Sequence, residues 1–415
     1  MRARTVVVVS LALLVRMGLP ALAAVPTNVD TSVRLGNEAE DAIAINPTNP
    51  QNIVVMSTLT EAIAGLFEGV SFDGGTTWTR QVIGVSGQLG AICCDEQLAW
   101  DAFGNLWMTY LINGDGNIPI ALSIDGGLTF TKVTEIVPVK GGNGNGPAPK
   151  RLRGGVHNGT PSGDQPSISA GAGSVWVSYA SYPHVVVQAS GAPVTGLGAF
   201  GTFSAPESVP TSNGHGNFGD TAVGPGGQVM VTYQDQTNGN GGSHIYTAVD
   251  PDGLGPAGFG TPVLLARSRV GGFDKIPAQP DRSIDAEASL GWDLSGGPHA
   301  GRVYAIWTQE VKNESDNTDT MLQWSDDDGV TWSRAVRLND DTTKNSQFNP
   351  ALAVDQTTGD VGVSWYDARL DLGKGGPGDT DGVPNDDVQI WATYSLDGLT
   401  PRTFSNSVSA LRVYS

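Results

Sequence analysis

One short pattern occurs four times in this chain, and it constrains the fold more than any other feature. Residues 71–78 read SFDGGTTW, and the same spacing of Ser, Asp, Gly, Thr and an aromatic returns as SIDGGLTF at 123–130 and SDDDGVTW at 325–332. A fourth copy, SLDGLTPRTF at 395–404, keeps Ser, Asp and a late Phe but is two residues longer. A single reaction centre is not built four times over, whereas a unit repeated at long intervals marks an array of supersecondary elements. Ser and Asp side chains bond turn backbone and Gly supplies a positive φ. The pattern therefore predicts a hairpin turn rather than a site.

A second repeat supplies the strands between those turns. It is a short apolar alternation ending near an aromatic: IVVMS from Ile53, LWMTY from Leu106, VWVSY from Val175, VMVTY from Val229, VYAIW from Val303 and VGVSW from Val361. Another apolar strand precedes each, at 42–46, 97–101, 166–170, 221–225, 287–291 and 351–355. After most of them a third strand runs into the octapeptide and a fourth leaves it. Gly, at 56 of 415 residues, is spread through NG, DG and GG pairs, as turns between strands require. Six units of four strands with little helix predict an all-β fold, a six-bladed β-propeller with four-stranded antiparallel blades. Units three and four keep only a degraded octapeptide, as in VDPDGLGPAGF from Val249.

The first 24 residues, MRARTVVVVSLALLVRMGLPALAA, combine an Arg-bearing start, an apolar stretch and Ala21-Leu22-Ala23, the composition of a cleaved signal peptide. Export to the periplasm or the extracellular space is expected, with residues 25–415 forming the propeller. No later segment is apolar enough to span a membrane. Of the 23 Lys and Arg, three lie in the leader, and none of the 42 Asp and Glu does. Such an acidic chain disfavours nucleic acid as a partner. Cys93 and Cys94 are adjacent, open to pairing with each other or to remaining reduced, and the five His show no metal-ligand spacing.

Propeller connectivity sorts the loops. With the octapeptides on one face, the loops leading into each first strand and those joining second to third strands share the opposite, top face. Two of these are long and basic: 141–166 with Lys150, Arg151, Arg153 and His157, and 266–287 with Arg267, Arg269, Lys275 and Arg282. That clustering in an acidic protein suggests an anionic ligand. At the starts of the first strands stand Glu40, Asp41, Asp95, Asp164, Asp220, Asp285, Glu287 and Asn349, a rim of carboxylates and amides that either fixes backbone and water or works on a ligand. Comparison of columns across the repeats separates the two roles. Trp365 shares its column with Tyr110, Tyr179, Tyr233 and Trp307 and is expected in the core. Tyr366 breaks a column of Thr58, Leu111, Ala180, Gln234 and Thr308, and Arg369 follows it on a top-face loop.

The octapeptides at 71, 123 and 325 match the Asp-box, or bacterial neuraminidase repeat, and the chain resembles the sialidase superfamily of propellers. The resemblance implies an exported exo-α-sialidase-type glycoside hydrolase acting on acidic glycans. Arg282 and Arg369 would grip the sugar carboxylate, Tyr366 would attack, Glu287 would be its base and Asp95 the acid, with Arg151, Arg153 and Asp285 lining the substrate. The family's Arg-Ile-Pro motif has its nearest echo at Lys275-Ile276-Pro277. A non-catalytic extracellular propeller that binds glycan or protein is the alternative. The chain is expected to be a monomer without a cofactor. Ca²⁺ is the one ion to weigh, at the Asp-rich loops 313–319 and 379–387, which solvated turns also explain. Finally, SVRLGN at 32–37 echoes AVRLND at 335–340, so the N-terminal segment is expected to close blade six, with 402–413 as the competing strand.

Overall fold

The computed structural model describes residues 29–60, 64–140, 161–183, 185–212, 214–235, 241–280, 282–286, 288–313, 315–376 and 378–395, and the backbone of 408–412. Its strands pair into six small antiparallel sheets set around one axis, a six-bladed β-propeller. Blade one contains Glu38–Ile45, Ile53–Leu59, Leu66–Ser71 and Thr79–Ile83, and blade two Ile92–Trp100, Leu106–Ile112, Ile118–Ser123 and Thr131–Ile136. Blade three is built from Ser162–Gly171, Ser174–Tyr182 and Val186–Gly196, edged by Ala199–Phe200 and Glu207–Ser208. In blade four the first strand is broken into Gly216–Asn217 and Thr221–Val223, followed by Val229–Asp235, Ser243–Asp250 and Val263–Ser268. Blade five has Ser289–Trp292, Val303–Glu310, Thr318–Ser325 and Val336–Arg337, and blade six Gln347–Val354, Val361–Asp367, Gln389–Ser395 and Val408–Arg412. Among the described residues the one helical turn is Gly87–Leu89.

The second strands read as continuous apolar runs because both of their faces are covered, each by a neighbouring blade. Successive side chains point to opposite faces. Thus Leu106, Met108 and Tyr110 pack on Val54 and Met56 of blade one, while Trp107 between them packs on Val175, Val177 and Tyr179 of blade three. Trp176 meets Val229, Val231 and Tyr233, Met230 meets Val303, Ala305 and Trp307, and Tyr304 and Ile306 meet Val361, Val363 and Trp365. The aromatic column expected in the core is buried throughout. Each such ring removed from water contributes on the order of 2–3 kcal/mol.

The octapeptides sit where the pattern places them, between third and fourth strands. In each, the Ser hydroxyl oxygen accepts the N–H of the Gly four residues on, at 2.8 Å (Ser71, Gly75), 2.9 Å (Ser123, Gly127) and 2.9 Å (Ser325, Gly329). The Asp carboxylate accepts the Thr N–H at 2.8, 3.0 and 2.8 Å and the Thr hydroxyl at 2.7, 2.6 and 2.7 Å. The receiving glycines have φ of 87°, 95° and 79°, a conformation costly to any other residue. Three turns so alike, facing away from the axial mouth, are structural. Beyond Ser395 the fourth copy lies outside the described residues, as does the expected leader at 1–24.

The closure of the ring differs from the sequence expectation. Blade six is completed by 408–412, antiparallel to Gln389–Ser395, and not by 30–37. The N-terminal segment cannot serve as a strand because it is bent: Asp30 Oδ1 accepts the N–H of Val33 at 2.7 Å, Val33 has φ 52° and Gly36 φ 128°. It lies against blade one instead, where Arg80 Nε donates to Thr31 O at 2.6 Å and Thr60 Oγ1 to Asn37 O at 2.7 Å. Buried apolar clusters join each blade to the next from one to six. Among the described residues none joins six to one, and Ile43 and Ile45 on the first strand are 67 % and 56 % exposed.

Candidate functional site

The first strands of successive blades lie side by side around the axis, and their N-terminal ends form the rim of the top face. Four of them carry the same irregularity, a residue in the left-handed region at the head of the strand: Glu40 (φ 59°), Asp95 (57°), Gln165 (51°) and Asn349 (46°). In each case regular pairing resumes two residues later, at Ala42, Gln97, Ser167 and Ala351. A bulge of this kind re-aims a side chain, and a non-Gly residue held there costs about 1–3 kcal/mol that the surroundings must offset. Part of that offset is a relay between blades. Glu40 Oε2 accepts the N–H of Asp95 at 3.0 Å, and Asp95 Oδ2 accepts the N–H of Gln165 at 3.2 Å.

Carboxylates crowd this side of the rim. The hydroxyl of Thr58 donates to Glu96 Oε2 at 2.7 Å and stands 3.4 Å from Glu40 Oε2. Glu40 and Asp95 present carboxylate oxygens within 4.8 Å of each other. Asp95 is held well above the usual carboxylate range, by its burial first and then by Asp164 and Glu40. Burial pushes Glu96 up to about 8 despite the Thr58 hydrogen bond, with Glu40 and Asp41 adding to the rise. Asp41 is raised by burial and by Glu38. The Tyr182 phenol, which accepts from Asn217 Nδ2 at 3.1 Å, is raised by burial and by Asp164. Neighbouring acids that cannot all ionise retain protons near neutral pH.

Asp220 is of another kind. Its carboxylate accepts from Ser167 of blade three, from the N–H groups of Thr221 and Leu290 at 2.7 Å each, and from Ser289 of blade five. It ties three blades together at the axis. Cys93 and Cys94, next to Asp95, are bonded to one another. The Cys94 sulfur lies within the Glu40 and Asp95 group but is not a thiolate and supplies no strong metal ligand there.

The residues singled out from sequence divide. Asp95 is in the carboxylate cluster. Arg282, with 73 % of its side chain exposed, pairs with Glu40 at 2.8 Å. Tyr366 stands at the end of its strand, stacked on Phe348 at 5.5 Å, its phenol raised by burial and by Asp41. That rise works against a phenolate nucleophile. Arg369 is engaged within the chain. Its guanidinium donates to Asp367 Oδ2 at 2.9 and 2.7 Å and to Asp340 at 2.6 Å, and lies 3.9 Å over the ring of Trp391. Asp367, two residues back and fully buried, claims the charge that the sequence reading assigned to a sugar carboxylate. Asp285 is half-buried on the segment leading into blade five. Glu287, Arg151 and Arg153 lie outside the described residues. Sequence reasoning placed Glu40, Asp41 and Asp164 on the rim but missed Glu96, Thr58 and Tyr182. The one available signal was the paired acids, Glu40-Asp41 and Asp95-Glu96, at the heads of consecutive first strands.

No family model and no curated protein matches this chain. Solved structures share its fold. The BP39L lectin from Burkholderia pseudomallei superposes with a TM-score of 0.52 at 11 % identity, over 89 % of this chain and 83 % of the lectin. The GH93 α-L-arabinofuranosidase of Fusarium graminearum, in complex with arabinobiose, gives 0.50 at 13 % identity, over 80 % and 88 %. A Hadza microbial sialidase, Hz136, gives 0.46 at 13 % identity, over 81 % and 64 %. At such identities the likeness is one of fold.

Proposed function

We propose that this protein is a glycan-active propeller whose axial mouth hydrolyses glycosidic bonds, with Asp95 as the proton donor and Glu40 as its carboxylate partner. The observation that carries the reading is the pair itself: two carboxylates with oxygens within 4.8 Å, one of them held well above the usual range by burial and by its neighbours. Hydrolysis of a glycosidic bond needs an acid that protonates the leaving oxygen and a second carboxylate at the anomeric carbon, about 5 Å apart when the second acts as nucleophile; Asp95 and Glu40 share a hydrogen bond here and part to admit the bond between them. Asp95 gives its proton to the glycosidic oxygen as the C–O bond breaks, and Glu40 forms an ester with the anomeric carbon. Water then yields a proton to Asp95 and attacks that carbon, releasing Glu40. Arg282 and the N–H of Asp95 orient the Glu40 carboxylate.

The arabinofuranosidase likeness supports a neutral sugar at this rim, and the abundance of carboxylates around Glu40 and Asp95 supports it further. A sialidase-type reaction on an acidic sugar is the finer reading that the Asp-boxes suggest, with Arg282 left to meet the sugar carboxylate now that Arg369 serves Asp367. The second reading, a lectin-like binder, is favoured by the bonds Glu40 already makes to Arg282 and Asp95, and by the BP39L likeness.

A panel of chromogenic α-L-arabinofuranosides, uronides and sialosides distinguishes these. The expected result is turnover of one class, reduced roughly 10²–10⁴-fold in kcat by Asp95→Asn. Glycan binding without turnover, lost in Glu40→Gln, would establish the binder instead. Neither turnover nor binding would overturn the assignment of the axial mouth.

A further inference from the structure

Of the four rim strands headed by a left-handed residue, that of blade two alone leaves register twice. One irregularity, between Cys94 and Gln97, is the bulge common to all four. The other lies between Ile92 and Cys94, and it makes Cys93 an extra residue opposite Leu111 and Ile112. The bond between Cys93 and Cys94 accounts for it. Consecutive side chains of an extended strand point to opposite faces, so neighbouring sulfurs meet only where the strand gives up its regular form.

That bond contributes little to the stability of the whole chain. A disulfide stabilises chiefly by closing a loop in the unfolded state, by an amount that grows with loop length, and a link between adjacent residues closes almost none. Its effect is local. Asp95 follows directly, and Cys94 Sγ lies within 4.8 Å of carboxylate oxygens of both Glu40 and Asp95. Both cysteines also pack on the apolar cluster between blades two and three, which holds Trp107, Ile168 and Tyr179. Without the bond nothing requires the extra residue, and drawing it into register turns the side chains that follow to the opposite face. Asp95 would then leave Asp164 on blade three and Glu40 on blade one, the two acids that face it.

We propose that the Cys93–Cys94 bond is a redox latch of the axial mouth, positioning Asp95 against Glu40 while intact and releasing it when a dithiol reductant opens it. The proposal rests on the reading of those two carboxylates as the working pair. One thiol of the reductant, as thiolate, attacks a sulfur of the bond to form a mixed disulfide, and its second thiol then closes the reductant's own disulfide. Two electrons and two protons pass to the protein, leaving Cys93 and Cys94 as thiols. Both residues are half-buried at the rim, within reach of a small dithiol.

The chain has no other cysteine, so a dithiol acts on the whole protein at this bond alone. The test compares the full chain before and after dithiothreitol, its thiols counted by alkylation and mass, with the double variant Cys93→Ala/Cys94→Ala. On the glycan that the panel identifies, reduction is expected to lower kcat at least about tenfold, toward the level of Asp95→Asn, with KM and Tm little changed. The basic limb of the pH profile should move to lower pH as Asp95 loses its acidic neighbours. The double variant should match the reduced chain and ignore the reagent, and it carries the comparison alone where the bond resists dithiothreitol. Unchanged kcat and pH profile in the bond-free protein would overturn the latch, as would a loss of turnover that tracks a fallen Tm. If the panel yields no turnover at all, the catalytic reading has failed, and the latch is read from the Asp95 carboxyl by ¹³C NMR of aspartate-labelled chain, as the signal lost in Asp95→Asn. Its titration midpoint should fall on reduction; an unmoved midpoint would overturn the latch by itself.

Discussion

Arg282 Nη2 stands 2.8 Å from Glu40 Oε1, so a side chain from the loop leading into blade five meets the first strand of blade one. The pair is exposed on the arginine side, and such pairs contribute only about 0–1 kcal/mol to stability. Arg282→Ala is therefore expected to leave the urea midpoint nearly unchanged while weakening glycan turnover or binding at least tenfold. A variant that lost stability and kept its ligand would show that the contact belongs to the ring and not to the mouth.

Arg369 should behave in the opposite way. Its removal leaves Asp367, fully buried, without its cation, and breaking a buried pair costs about 3 kcal/mol or more. Arg369→Ala is expected to lower the unfolding free energy by about that much, measured by chemical denaturation. Wild-type stability combined with lost glycan affinity would restore the grip that the sequence suggested.

Ser71→Ala, Ser123→Ala and Ser325→Ala each remove the oxygen that accepts a turn N–H. Each is expected to cost about 1 kcal/mol; Ser325→Ala should add to either of the others, whereas the turns of Ser71 and Ser123 share the Asn52 carboxamide and should couple. Turnover per folded molecule should stay constant across the series. A drop in kcat in any single variant would give that turn a role beyond structure.

Glu68, on the third strand of blade one, is fully buried with Oε1 unbonded, and burial pushes its carboxyl up to about 7 against the lowering effect of Gln81. The folded state thus holds this proton more tightly than the unfolded chain. The stabilisation is complete below the unfolded value of 4.5 and is lost as pH rises through 7, amounting to at most about 3 kcal/mol. Glu96, pushed up to about 8, acts in the same direction. The Tm is expected to fall between pH 5 and pH 8, and Glu68→Gln should flatten that slope. An identical slope in the variant would remove Glu68 from the account.

The turns and blades were legible because they repeat. Ser71, Ser123 and Ser325 announce one geometry through one spacing, and alternation such as Leu106 to Leu111 fixes strands buried on both faces. The site was only half legible. Glu40 and Asp95 head consecutive first strands, and order along the chain sufficed to put them on one rim. The rise at Asp95 comes from burial and from Asp164 and Glu40 on the neighbouring blades, which only the fold brings together. Arg369 was singled out only for following Tyr366, whose departure from a repeated column marks an unusual role without saying which, and Asp340, which takes one of the Arg369 N–H groups, is 29 residues away. The echo of AVRLND in SVRLGN misled in a similar way. Likeness to a strand does not decide whether the segment arrives at the open slot, and the bend at Asp30 and Val33 prevents it.

That bend has a mechanical consequence. Many rings are latched by threading one end of the chain into the other end's sheet; here each end completes its own blade, and the circle meets as a butt joint. Among the described residues the contacts across that joint lack the apolar filling found at the other five, and Ile43 and Ile45 are mostly exposed. Partial opening is governed by the weakest contiguous boundary. The assembly should therefore spring apart between blades six and one, with amide exchange fastest in 38–45 and 347–367. The carboxylates of Glu40 and Asp95 sit on the lip beside that gap, so the same parting that limits the protein's endurance would also widen access to its axis.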